Sequence, residues 1–116
     1  MIETVILDYL IEQNIDGIGG NVFMEVPETP PGKYVLIEKT GSGRTNRIDD
    51  VSFAVQSISR SSLLEAAQIN ENVKAAMDLF AERSSEIYSC RLDTDYNFTN
   101  PATREYRYQA VYNIYY

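Results

Sequence analysis

At 116 residues the chain has the length of one domain, enough to bury roughly two-thirds of its unfolded surface around a single core. With 44% hydrophobic and 23% charged residues it falls in neither the disordered nor the membrane class, and a net charge of −7 argues against nucleic-acid binding as its main business. There is no His and a single Cys, which excludes His-dependent triads, a Cys-based zinc site and an internal disulfide.

Residues 2–13 read as a first helix, with Ile2, Val5, Ile6, Tyr9 and Leu10 at helical spacing and Leu7 and Ile11 widening the stripe. No basic region precedes this apolar run, so no secretory signal is expected and the chain is expected to be intracellular where it is made. No window reaches the length of a membrane-spanning helix. Gly17, Gly19 and Gly20 end the helix in a turn. Residues 21–26 form a short strand closed by Pro27. Residues 27–32, PETPPG, make an extended surface connection, because proline lacks a donor and restricts its predecessor.

Residues 33–59 are the centre of the reading, as one long β-hairpin. The first arm, 34–40, is dense in β-branched and aromatic residues. The second, 51–58, alternates through Val51, Phe53 and Val55. Between them Gly41-Ser42-Gly43-Arg44-Thr45-Asn46-Arg47 is too long for a two-residue turn and too polar to be buried, which predicts a flexible finger bearing two arginines. Asp49 and Asp50 then stand at its base.

Charge is uneven along the chain. Residues 1–32 hold six acids (Glu3, Asp8, Glu12, Asp16, Glu25, Glu28) and no base, while residues 33–60 hold five bases against three acids. This is either a solubility feature or a pair of complementary faces that meet in neighbouring copies.

Ser62 to Glu65 has capping-box spacing and opens a helix over 62–83. Leu63, Ala66, Asn70, Val73, Met77 and Phe80 fall on one helical face, with Ile69 and Ala76 beside them, and Met77 and Phe80 are read as core rather than as ligand contacts. After Ser84-Ser85 a strand over 86–96 places Tyr88, Cys90, Leu92 and Tyr96 on one side and Ser89, Arg91, Asp93 and Asp95 on the other. Cys90 is a small core residue, with nothing nearby to activate its thiol. Asp93 and Asp95 share a strand face, a spacing open to carboxylate pairing or a divalent cation, though a solvated strand end explains them as well. A loop over 97–103 follows. Its Asn97-Phe98-Thr99 matches a glycosylation pattern that carries no weight without a secretion signal. The last strand, 104–116, sets Tyr106, Tyr108, Ala110, Tyr112, Ile114 and Tyr116 against Arg107, Gln109, Val111, Asn113 and Tyr115. Tyrosine suits a half-wet sheet face, and the same residues are open to use as a ligand-stacking platform.

The expected architecture is therefore a single α+β domain over residues 1–116, in the order α-β-β-β-α-β-β. Two helices pack on one face of a mainly antiparallel sheet, and a long hairpin arm projects from it. Gly41-Ser42-Gly43-Arg44 lacks the Gly-Lys-Ser/Thr and the following helix of a phosphate loop, and Gly17-Ile18-Gly19-Gly20 follows a helix rather than a strand. No nucleophile, base and oxyanion donor assemble. The expectation is a non-enzyme with no cofactor, no catalytic residue and no metal site.

The run Tyr34-Val35-Leu36-Ile37-Glu38-Lys39-Thr40-Gly41-Ser42-Gly43-Arg44, the Val-Phe-Val strand with Gln56-Ser57, and the helix from Glu65-Ala66-Ala67 through Val73 to Met77 resemble the tail-terminator (tail-completion) proteins of long-tailed bacteriophages and prophages. So do Asp95-Tyr96-Asn97-Phe98-Thr99 and Arg107-Tyr108-Gln109-Ala110-Val111-Tyr112. The resemblance implies an α+β subunit of a ring, usually a hexamer, that caps the tail tube, stops its polymerisation and joins tail to head. Its implied partners are other copies of itself, the tube protein and the head–tail connector protein. DNA only passes through the lumen, with no membrane and no small-molecule substrate. Its place is the virion tail or neck, and the bacterial host cytoplasm during assembly. In that setting Arg44 and Arg47, with Ser42, Thr45 and Asn46 on the arm, meet acids such as Glu3, Glu12, Glu25 and Glu28 of an adjacent copy or of the tube. A head-completion or connector ring subunit, and a small-ligand-binding module using the Tyr-rich strand, stand as alternatives.

Overall fold

The computed structural model describes residues 1–103 and 105–116. It has the expected α+β architecture, with α1 (Ile2–Glu12), β1 (Val22–Phe23), β2 (Lys33–Thr45), β3 (Ile48–Ser59), α2 (Leu63–Asp78), α3 (Phe80–Arg83), β4 (Ser89–Asn97) and β5 (Tyr106–Tyr115). The five strands form one sheet in the order β1-β2-β3-β5-β4. Only β1–β2 is parallel; the other pairs are antiparallel. The chain leaves β3 through the helices and returns as β4, leaving a gap that β5 then fills. β5, last of the five along the sequence, is thus an interior strand between β3 and β4.

Both long helices lie on one sheet face. Ile2, Ile6, Tyr9 and Leu10 of α1, with Ile69, Val73 and Met77 of α2 and Phe80 of α3, meet Val35, Ile37, Val51, Phe53, Val55, Ala110, Tyr112 and Ile114. Period 3.6 on one side and period 2 on the other bring these residues to one interface. Burying each large one contributes about 1.5–3 kcal/mol. The Tyr9 ring packs on Phe80 at 4.7 Å, and its hydroxyl donates to the Ala76 carbonyl at 2.6 Å, tying α1 to the end of α2. The turn after α1 inserts Ile15 and Ile18 into the same core. Gly17 sits there at φ +100°, where an added Cβ would also press on Ile69 at 3.4 Å.

Several sequence expectations are corrected. The single helix over 62–83 is two: the chain tightens at Leu79, whose N–H bonds Ala76, and α3 turns Phe80 inward. Leu63 is not buried but 38% exposed, since it opens α2 before the helix reaches the sheet. Ser62 caps α2 by accepting from the Glu65 N–H at 3.0 Å, but the return half of the capping box is relayed. Glu65 accepts from the Ser59 hydroxyl at 2.6 Å, and Ser59 Oγ takes the Ser61 and Ser62 N–H groups. The strand over 21–26 shrinks to Val22–Phe23, because Pro27 and the following prolines draw the chain off the sheet. The last strand is Tyr106–Tyr115; of its expected start, Arg104 lies outside the described residues.

The strand over 86–96 begins only at Ser89 and carries a bulge at Asp93, between Leu92↔Tyr112 and Thr94↔Val111. One extra residue reverses the alternation. Cys90 and Leu92 keep the helix side, opposite Ile114 and Tyr112, while Tyr96 turns to the other face opposite Gln109. Asp93 and Asp95 therefore do not share a regular strand face as expected.

Candidate interaction surface

The hairpin is longer and more regular than its glycines suggested. β2 and β3 pair without a loop out to Thr45↔Ile48, closed by Asn46 and Arg47 alone. Both residues have positive φ (51° and 65°), as the inner positions of a two-residue hairpin turn require. The flexible finger over 41–47 is thus corrected to a paired ribbon. Asp49 and Asp50 lie within it rather than at its base. Past the final pairing with the C-terminal segment, where Asp49 and Tyr116 exchange backbone hydrogen bonds at 2.9 and 3.0 Å, residues 44–48 continue as two strands only. About two residues' rise on each strand carries the tip roughly 7 Å clear.

A bulge at Thr40, between Lys39↔Phe53 and Gly41↔Ser52, decides how the ribbon presents its side chains. Before it, Val35 and Ile37 face the helices. After it, the residues opposite Val51 and Asp49, namely Ser42 and Arg44, take that side, while Gly41, Gly43 and Thr45 turn to the open face with Ser52, Asp50 and Ile48. Arg44 is gripped by its own arm: Nε donates to Asp49 Oδ1 at 2.7 Å and Nη2 to Oδ2 at 3.3 Å. That hydrogen bonding holds the Asp49 carboxyl below the usual carboxylate range and raises the guanidinium. Arg47 projects from the turn, exposed. Among the described residues it engages no acid.

The ribbon therefore gathers Ser42, Arg44, Thr45, Asn46 and Arg47 into one exposed element. The acids proposed as their counterparts are dispersed. Glu3 on α1 already faces Lys39 of the same chain at 3.5 Å, and Glu12 is exposed at the end of that helix. Glu25 and Glu28 are exposed on the connection between β1 and β2. β2 beyond Leu36 has no partner on its outer edge, nor does β4. β4 is blunted by its bulge and by Asp93; apart from Arg44, which is turned onto Asp49, β2 carries only glycines and short polar side chains along 40–45.

Sequence reasoning missed the chemistry of the open face. Gln56 and Gln109, almost fully buried, hydrogen-bond each other across β3 and β5 at 2.8 Å, and Gln109 donates on to the Tyr96 hydroxyl. Arg107 donates to Gln56 at 2.7 Å and to Glu105 at 2.9 Å, and Glu105 also takes the Tyr34 hydroxyl at 3.3 Å. The polar residues that alternate with core positions in β3 and β5 were the available signal. On the helix side, Asp95 accepts from Lys74 at 3.0 Å and from Asn70 at 2.9 Å, which keeps its carboxyl low and commits it to α2. No three described acids or cysteines converge on a point. Burial pushes the Cys90 thiol up to about 12, the opposite of an activated thiol. Tyr112 is buried in the core, so the tyrosines of β5 do not form one exposed platform. No described helix is long and apolar enough to cross a membrane. No family model matches the chain, and no curated protein matches it.

Proposed function

We propose that this protein is a structural subunit of a long-tailed phage or prophage virion, forming a ring that caps the tail tube, ends its growth and joins it to the head. The observation that carries the reading is the β2–β3 ribbon, exposed from Glu38 to Ile48, which none of the described residues covers. A ring needs heterologous contacts, in which one patch docks a different patch on the next copy. An arm held by seven paired positions from Glu38 outward and tipped with Arg47 is suited to make one. The α+β fold agrees with the resemblance noted in the sequence. The open outer edge of β2 offers further backbone donors and acceptors to a neighbour.

The test is light scattering of the purified protein, alone and mixed with a candidate tail-tube protein, with electron microscopy of the mixture. Rings, or tubes capped at one end and limited in length, are the expected result. A protein that stays monomeric at all concentrations and leaves tube length unchanged overturns the reading.

A further inference from the structure

The open face of the ribbon holds a groove of about 230 Å³, bounded by Gly41, Gly43, Asp50, Ser52, Asn113 and Tyr115. Its shape follows from the bulge at Thr40, which turns both glycines to this face and so removes two side chains from its wall. Asp50 lays its carboxylate into the space that a side chain at position 43 would occupy: a Cβ there would stand 2.6 Å from Asp50 Oδ1. That oxygen is buried and has no hydrogen-bond partner among the described residues. Ser52 Oγ donates to Asn113 Oδ1 at 3.2 Å, fixing the amide beside it. The only cation in the distal ribbon with an acid partner is Arg44, which is committed to Asp49 on the opposite face.

With Oδ1 covered and without a donor, the carboxylate is under-satisfied and gains most from a charged donor that meets it from the groove at Oδ2. The guanidinium is the best fit, being planar, weakly hydrated and able to stack on an aromatic ring such as Tyr115. One such group is presented for the purpose by this same chain. Arg47 extends from the turn, and among the described residues it makes no ion pair or hydrogen bond.

We propose that the Gly41–Gly43–Asp50 groove is a receptor for the Arg47 guanidinium of a second copy, so that each ribbon tip docks on the ribbon root of its neighbour. The contact joins two different patches and therefore propagates from copy to copy, as a ring requires. It rests on the ring reading above and assigns that ring one of its contacts.

Charge reversal in trans tests it. Arg47→Asp preserves the turn, since Asp tolerates positive φ, and Asp50→Arg places the cation in the groove. Each variant alone is expected to associate at least ~30-fold more weakly than the wild type, as for breaking a desolvated charge pair. Mixed in equal amounts, they restore both complementary contacts and assemble again. Gly43→Ala, which fills the groove while keeping every charge, is expected to weaken assembly as well. Circular dichroism checks that each variant is folded; should Asp50→Arg unfold, Arg47→Asp and Gly43→Ala carry the test. Wild-type rings with unchanged assembly of Arg47→Asp or Gly43→Ala overturn this contact and leave the ring reading standing. A wild type that never associates overturns both.

Discussion

Arg44 and Asp49 face each other across the β2–β3 ribbon through two hydrogen bonds of 2.7 and 3.3 Å, so one of the two arginines of the arm is held by the arm itself. The pair is exposed and close to the turn, where the ribbon has lost its third strand. Its role is to register the tip rather than to stabilise the domain, because exposed ion pairs add little to global stability. Arg44→Ala is expected to leave the thermal midpoint essentially unchanged while speeding amide exchange at residues 44–49. Unaltered exchange there would show that the turn alone holds the register.

The same pair has a definite pH dependence. Asp49 has a folded-state pKa below its unfolded value, so its contribution is fully present above the unfolded pKa of about 4 and is lost as pH falls through the folded value. Exchange protection at the tip should hold from neutral pH to about 4, after correction for intrinsic rates, and fall below it. In Asp49→Asn that acid-dependent step should be absent.

Asp95 obeys the same sign. Lys74 and Asn70 hold its carboxyl low, so the link between α2 and β4 persists at neutral pH and weakens on acidification. Urea midpoints of the wild type and Asp95→Asn, measured from pH 7 to pH 3, should converge as the carboxyl protonates. A constant difference across that range would mean that Asp95 contributes through its shape and not its charge.

Two buried tyrosines predict opposite responses. Tyr9 donates its hydroxyl to Ala76 at 2.6 Å, and Tyr9→Phe should cost about 1 kcal/mol in urea unfolding. Tyr112 is 1% exposed and its hydroxyl has no partner among the described residues, so Tyr112→Phe should be neutral or stabilise by about 1 kcal/mol. Equal losses at both sites would contradict the hydrogen-bond assignments.

Cys90 provides a chemical probe of integrity. With its thiol pushed from 9 up to about 12, the thiolate fraction falls ~1000-fold, and alkylation at pH 8 should be slow in the native protein and fast in urea. Rapid native labelling would place Cys90 outside the helix–sheet interface.

The helices were legible because their signal is local. Ile6, Leu10, Val73 and Met77 recur with the helical period, and each is buried where that period puts it. The order of strands was legible from alternation and prolines. The two bulges were not, because a bulge exists only in relation to a partner strand. Thr40 and Asp93 look like ordinary strand residues, yet each reverses the faces of everything beyond it. Missing the bulge at Thr40 hid the groove, and missing the one at Asp93 sent Tyr96 and Asp95 to the wrong sides. The glycines at 41 and 43 were read as flexibility, whereas Gly43 leaves the space that the Asp50 carboxylate occupies. The turn was overlooked because Asn-Arg lacks the glycine that usually marks positive φ at its second position.

The central place of β5 bears on how the molecule is made. Val55 pairs with Ala110, and Phe53 with Tyr112, across more than fifty intervening residues. Until residues 106–115 have left the ribosome, β3 and β4 each lack the neighbour between them, and α2 has only part of the surface it needs. The nascent chain then presents two adhesive strand edges and an apolar helix face at once. Closure of the sheet thus waits on residues 106–115, and a chain stopped short of them carries an incomplete sheet.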